Sequence, residues 1–198
     1  MARIPLSTSE NGLLARFAAW YSKRQYGKLI EPLGAMSHHR AVLATISLME
    51  LGVQRWRRLD PTLQCLALMG AASSIGCTWC TDFGYWEFHH RGVPPAKIEG
   101  VPRWRESEIY TDLERLVLEY AEAMTSNPPT VSDDVVGRLR ERLGDSRLVE
   151  LTALVAVENL RSRFNSALGL ESQGFKAECA LPPRTAAAQA SSEGPQLI

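Results

Sequence analysis

Two cysteines three residues apart, Cys77 and Cys80, stand in the stretch GCTWCTDFGYW that begins at Gly76. Three residues is close to one helical turn, so sulfurs spaced in this way can meet without large backbone movement. At the start of a helix, unpaired backbone N–H groups and the positive dipole end stabilise a thiolate. The thiol pKa then falls, and more nucleophile exists at neutral pH. The second thiol can close onto an oxidised first sulfur, giving a cycle of thiolate, sulfenic acid, disulfide and reduction by a partner. Two other readings fit the same residues. Free cysteines are often small, inert core residues. A metal site would need two further ligands. His89 and His90 follow nearby, but adjacent side chains on a helix point about 100° apart and do not readily face one ion. Neither a metal nor a cofactor is expected.

The chain around this pair has 198 residues, 45% hydrophobic and 22% charged, which suits one domain with a sizeable core. Lys plus Arg equals Asp plus Glu, 22 each, so there is no global field to draw the chain to nucleic acid or acidic lipid. The cluster Arg55, Arg57 and Arg58 reads as a solvated helix end. The start MARIPLSTSENG lacks an apolar segment. No run reaches the roughly 18 apolar residues needed to span a bilayer. The expectation is therefore a cytoplasmic protein with no membrane partner, whose thiols are mostly reduced. In that setting a close cysteine pair is catalytic, redox-active or metal-binding rather than part of a disulfide framework.

The elements that must position the pair are helical almost throughout. ENGLLARFAAWYSKRQYG carries Leu13, Leu14, Phe17, Trp20 and Tyr21 at helical spacing and ends at Gly27. HRAVLATISLMELGVQRW is a second helix. A third begins at Asp60 as N-cap, with Pro61 at its first position, and stops at Gly76. The next starts close to the cysteine pair and runs to about Arg91, where Gly92 and Pro94-Pro95 end it. VPRWRES reads as a loop. Three more amphipathic helices follow, the last of them the apolar DSRLVELTALVAVENLRSRFNSALG. No alternating strand pattern appears. The reading is an all-α single domain over residues 1–171, followed by a flexible tail over 172–198 that ends in LPPRTAAAQASSEGPQLI. Cys179 reads as a bystander.

A weak internal repeat joins two of these helices. LQCLALMGAASSIGCTWCTDFG lines up with LVELTALVAVENLRSRFNSALG at an offset of 85 residues. Cys65 then falls on Glu150, Cys77 on Ser162, Cys80 on Asn165 and Gly84 on Gly169. Duplication and a shared buried-helix composition both account for the match.

The stretch RLDPTLQCLALMGAASSIGCTWCTDFGYW, with YGKLIEPLGAMSHHRAVL before it and LVELTALVAVENLRSRFNSALG after it, resembles the carboxymuconolactone decarboxylase family, and within it the alkylhydroperoxidase D-like members. The resemblance covers roughly residues 20–170. It implies packed antiparallel helices and oligomers built by helix packing. It also implies that Cys80 attacks peroxide and Cys77 resolves it. The family pattern has a glutamate twelve residues before the first cysteine and a histidine four after the second, forming a proton relay. Here those positions hold Cys65 and Gly84. Peroxide cleavage needs a group that keeps the thiol ionised and another that protonates the leaving oxygen. Asp82, Glu87 and Glu150 are the candidate substitutes, with Cys65 as a possible third thiol.

The leading expectation is a thiol-dependent oxidoreductase acting on a small molecule and recycled by a thiol reductant protein. The alternative is a non-redox decarboxylase, isomerase or cyclase of a small organic acid or lactone on the same fold. Trp79, Phe83 and Trp86 are the expected walls of an apolar substrate pocket. A homo-oligomer is expected, because the apolar faces from Leu13 to Trp20 and from Leu148 to Leu168 need burial.

Overall fold

The computed structural model of the chain describes residues 1–6 and 12–179. Helices are α1 (Gly12–Tyr26), α2 (Glu31–Met36), α3 (Arg40–Val53), α4 (Pro61–Ile75), α5 (Thr78–His90), α6 (Pro95–Glu99), α7 (Asp112–Thr125), α8 (Asp133–Leu143), α9 (Asp145–Ala167) and α10 (Phe175–Cys179), with a short 3₁₀ helix at Val101–Glu106. No strand occurs among the described residues.

Helix α4 is the centre because its sequence is apolar or small on nearly every side. Leu63, Cys65, Leu66, Ala67, Met69, Ala71 and Ala72 are all buried. It packs against α5, α7 and α9. Small residues allow the close approach to α7: a Cβ at Gly70 would lie 3.2 Å from that of Ala121 and 3.3 Å from Leu118 Cδ2. The Asp60 carboxylate accepts from Thr62 N at 2.8 Å and starts the helix. Gly76 ends it in the left-handed region, at φ +79°.

Several short elements carry no readable period. Helices α2, α6 and α10 have five or six residues each, fewer than two turns. The expected loop VPRWRES is the 3₁₀ helix, held by the buried Trp104, whose indole donates to Glu122 Oε1 at 2.8 Å. The tail expected from residue 172 needs correction over 172–179. Phe175 is fully buried, and Asp82 on α5 accepts from the backbone N–H groups of Gln173, Phe175 and Lys176 at 2.8–3.0 Å. The Pro-, Ala- and Ser-rich composition that motivated the tail begins only at Leu181, and residues from 180 lie outside the described ones.

Candidate functional site: a dithiol between two helices

The left-handed turn at Gly76 delivers the chain directly from α4 into α5. Cys77 is the N-cap of α5, and its sulfur accepts from Cys80 N at 3.2 Å. Cys77 and Cys80 form a disulfide across the first turn, with Cα atoms 5.3 Å apart. Both are buried, in a small cluster with Ala72 and Trp79 on which Ile30 and Phe83 pack.

Helix α9 lies across this helix start and presents one face to it. Ser162 Oγ lies 3.3 Å from Cys80 Sγ. Asn165 Nδ2 donates to Cys80 Sγ at 3.3 Å and, more weakly, to Cys77 Sγ at 3.9 Å. One turn earlier, Glu158 Oε1 is 2.7 Å from the same Ser162 hydroxyl. Its other oxygen faces Arg161 Nη1 at 3.5 Å. Arg161 is held in turn by Glu50 on α3, through Nε to Oε1 at 2.8 Å and through Nη2 to Oε2. A continuous polar chain therefore runs Glu50–Arg161–Glu158–Ser162–Cys80. Residues 158, 161, 162 and 165 share one face because they follow the three- and four-residue spacing of a helix.

Glu158, Ser162 and Asn165 are buried polar residues. Burial pushes the Glu158 carboxyl up to about 7, against the opposing pull of Arg161 and the Ser162 hydrogen bond. A carboxyl in that range exchanges its proton near neutral pH. Ser162 carries one hydroxyl proton and has two acceptors, Glu158 and Cys80. Ionised Glu158 draws that proton to itself. Protonated Glu158 can donate to Ser162 and leave the hydroxyl aimed at the sulfur.

The other candidates fall in different places. Glu87 pairs with Arg91 at 3.7 Å and feels Arg161 and Glu50; burial raises its carboxyl. Asp82 holds the C-terminal segment. Burial pushes its carboxyl up, but the backbone donors of Lys176, Phe175 and Gln173 and the Ser172 side chain outweigh this and keep it below the ordinary value. Glu150 accepts from Arg58 N, Leu59 N and Gln64 Nε2 at 3.0–3.1 Å, and so closes the loop before α4. None of the hydrogen bonds of Asp82 or Glu150 reaches a sulfur. Cys65 is fully buried in the main core, apart from the cluster around the pair, and burial drives its thiol far above the ordinary range. Gly84 abuts α4: a Cβ there would lie 2.7 Å from Met69 Sδ. The thioether occupies the space where a larger side chain would start.

Trp79, Phe83 and Trp86 pack on one another and on Tyr26 and Phe175. The Trp79 and Phe83 rings stack at 4.9 Å, and Phe83 meets Phe175 edge-on at 5.2 Å. The Trp79 indole donates to Gln173 Oε1 at 2.9 Å. A cavity of about 310 Å³ beside α5 is lined by Ser73, Thr78, Thr81, Asp82 and Lys176 among others, and by none of these three rings.

Glu158, Ser162, Asn165, Arg161 and Glu50 were not among the sequence candidates. The offset of 85 held the clue. It pairs Ser162 with Cys77 and Asn165 with Cys80, and those four residues meet in space.

A helical bundle that closes a CxxC pair at a helix start defines an alkylhydroperoxidase D-like scaffold. The chain belongs to the carboxymuconolactone decarboxylase family, whose model matches residues 40–123. It is 34% identical to the protein YnjA of Escherichia coli over 173 residues, 87% of this chain and 93% of that one. Among solved structures it resembles the alkylhydroperoxidase AhpD core protein, a peroxidase-related protein of Ralstonia eutropha, with a TM-score of 0.79 and 14% identity over 91% of this chain and 97% of that one. The apo debrominase Bmp8 matches with a TM-score of 0.74 and 18% identity, covering 88% of this chain and 94% of that one. At these identities the two structural likenesses establish the fold alone. Among the described residues no helix is long and apolar enough to cross a membrane.

Proposed function

We propose that the chain is a dithiol oxidoreductase that reduces a small hydroperoxide, with Cys80 as the attacking thiol and Cys77 as the resolving one. The observation that carries this reading is the chain Glu158–Ser162–Cys80. It supplies, from α9, a carboxyl in place of the family glutamate, whose position holds Cys65 in this chain. Three groups donate toward the pair: Ser162 and Asn165 to Cys80, and the Cys80 backbone N–H to Cys77. Such donors favour a thiolate.

In the reduced protein the Cys80 thiolate attacks the outer peroxide oxygen. The O–O bond breaks, and the departing alkoxide takes a proton that Glu158 passes through Ser162. Cys80 is then a sulfenic acid. The Cys77 thiol attacks that sulfur, water leaves, and the disulfide forms. A dithiol reductant protein returns two electrons and two protons. The sum is one hydroperoxide and two thiols giving one alcohol, one water and one disulfide. No cofactor enters this cycle.

Intact mass and stopped-flow kinetics on the reduced protein test the reading. One equivalent of hydroperoxide should remove two hydrogens from the chain. Cys80→Ser should abolish turnover, and Cys77→Ser should leave a trappable sulfenic acid. Glu158→Gln should slow the first step by about 10²-fold, the lower range for a general acid. Full turnover by Cys80→Ser on the true substrate would overturn the dithiol cycle and leave the non-redox alternative.

A further inference from the structure

The far end of α5 carries a second cluster that the dithiol cycle does not use. His89 and His90 close the helix, and Cys179 comes to them from α10. One ligand atom from each of the three lies within 4.8 Å of the others. Along the helix this cluster is roughly 15 Å from the cysteine pair, at 1.5 Å per residue.

Adjacent histidines on a bare helix diverge, and the sequence argued against a shared ion on that basis. Here their rings are 5.7 Å apart at 75°, and the third ligand comes from another helix. His90 Nδ1 lies 2.7 Å from the Trp86 carbonyl oxygen. A carbonyl can only accept, so Nδ1 carries the proton and Nε2 keeps its lone pair. A hydrogen bond from one ring nitrogen to a backbone carbonyl is the usual support of a metal-bound imidazole. His89 Nδ1 is buried and has no hydrogen-bond partner among the described residues. Buried polar atoms rarely stay unpaired, and a bound ion is one recognised partner for such an atom.

We propose that His89, His90 and Cys179 bind one zinc ion, with water in the fourth position. Two imidazoles and a thiol are borderline-to-soft donors, which suit zinc and exclude calcium or magnesium. Zinc–nitrogen and zinc–sulfur bonds of about 2.0 and 2.3 Å place tetrahedral ligand atoms roughly 3.5 Å apart. The cluster must therefore contract by about 1 Å, a change within reach of side-chain rotation at the exposed His90. On binding, the Cys179 thiol gives its proton to solvent and the thiolate joins the metal. The ion fastens α10 to α5. The segment just before α10 contains Gln173, which holds the Trp79 indole beside the dithiol.

The test uses tag-free protein with the Cys77–Cys80 pair oxidised, which leaves Cys65 and Cys179 as the free thiols. Cobalt(II) should titrate to one equivalent and give a near-ultraviolet thiolate-to-metal band. Zinc should displace it. Cys179→Ser should lose the band while keeping its helical circular dichroism. His90→Ala should weaken zinc binding by more than about ten-fold, the least that even a supporting partner contributes. Zinc should also slow amide exchange in 175–179 of the wild type and not of Cys179→Ser. Absence of saturable one-to-one binding, or a cobalt band that survives Cys179→Ser, would overturn the site.

Discussion

Glu158 is held where its charge is costly. Its carboxyl rises from an ordinary 4.5 to about 7 because burial outweighs Arg161. A raised carboxyl makes the folded state bind more protons than the unfolded one. The associated stability is present in full below about pH 4.5, is lost as pH rises toward 7, and stays level beyond. Glu158→Gln removes the ionisation and keeps the contact to Ser162. It should therefore be more stable than wild type at pH 8, by about 3 kcal/mol at most, while slowing peroxide reduction. Urea melts of both proteins at pH 5 and pH 8 check this; an equal pH slope in the two would count against the assignment. At this scale the sequence was half legible. Cys77 and Cys80 announce themselves because they share one turn. Ser162 contacts Cys80 across 82 positions, a distance that no local spacing rule spans. Only the offset repeat touched it.

At the scale of elements, α5 is fixed at two places by different devices. Its start uses Gly76 and the Cys77 cap, which the sequence displays openly. Its middle is tied to the C-terminal segment by Asp82, through three backbone N–H groups. Asp82→Ala should free residues 173–179 and cost about 2 kcal/mol, in the range of a lost helix cap. Hydrogen exchange would show it as protection lost in that segment first, and unchanged protection would contradict it. The pH dependence runs opposite to that of Glu158: the depressed Asp82 carboxyl contributes stability above its unfolded pKa and loses it as pH falls. Long helices with a cap and a period were readable, as with α4 from Asp60 to Gly76. The five-residue α10 was not, because its place is dictated by a carboxylate on a distant helix.

The whole molecule leaves an apolar stripe uncovered on α1. Leu13, Phe17 and Trp20 are 83%, 61% and 56% exposed, and Leu48 and Leu51 on α3 are exposed as well. The period that made α1 legible as an amphipathic helix could not say that its apolar side faces away from this chain's core. Exposed apolar side chains repeated along one helix face mark an interaction site, and we propose a second copy of the chain as its occupant. With a formal net charge of zero, no long-range repulsion opposes self-association. Light scattering at micromolar concentration should give a mass above 22.0 kDa. Phe17→Glu with Trp20→Glu should return a monomer that keeps its helical content. A wild-type monomer would remove the proposal.

The single hydroxyl proton of Ser162 has a kinetic consequence. Because it lies between Glu158 and Cys80, in the proposed cycle a proton leaving the carboxyl cannot reach the peroxide without displacing the one already on the serine. That cycle would then move two protons in one event. In mixtures of light and heavy water, the rate of sulfenic acid formation should fall along a bowed curve rather than a straight line. Ser162→Ala breaks the relay, and its remaining slow reaction should follow a line.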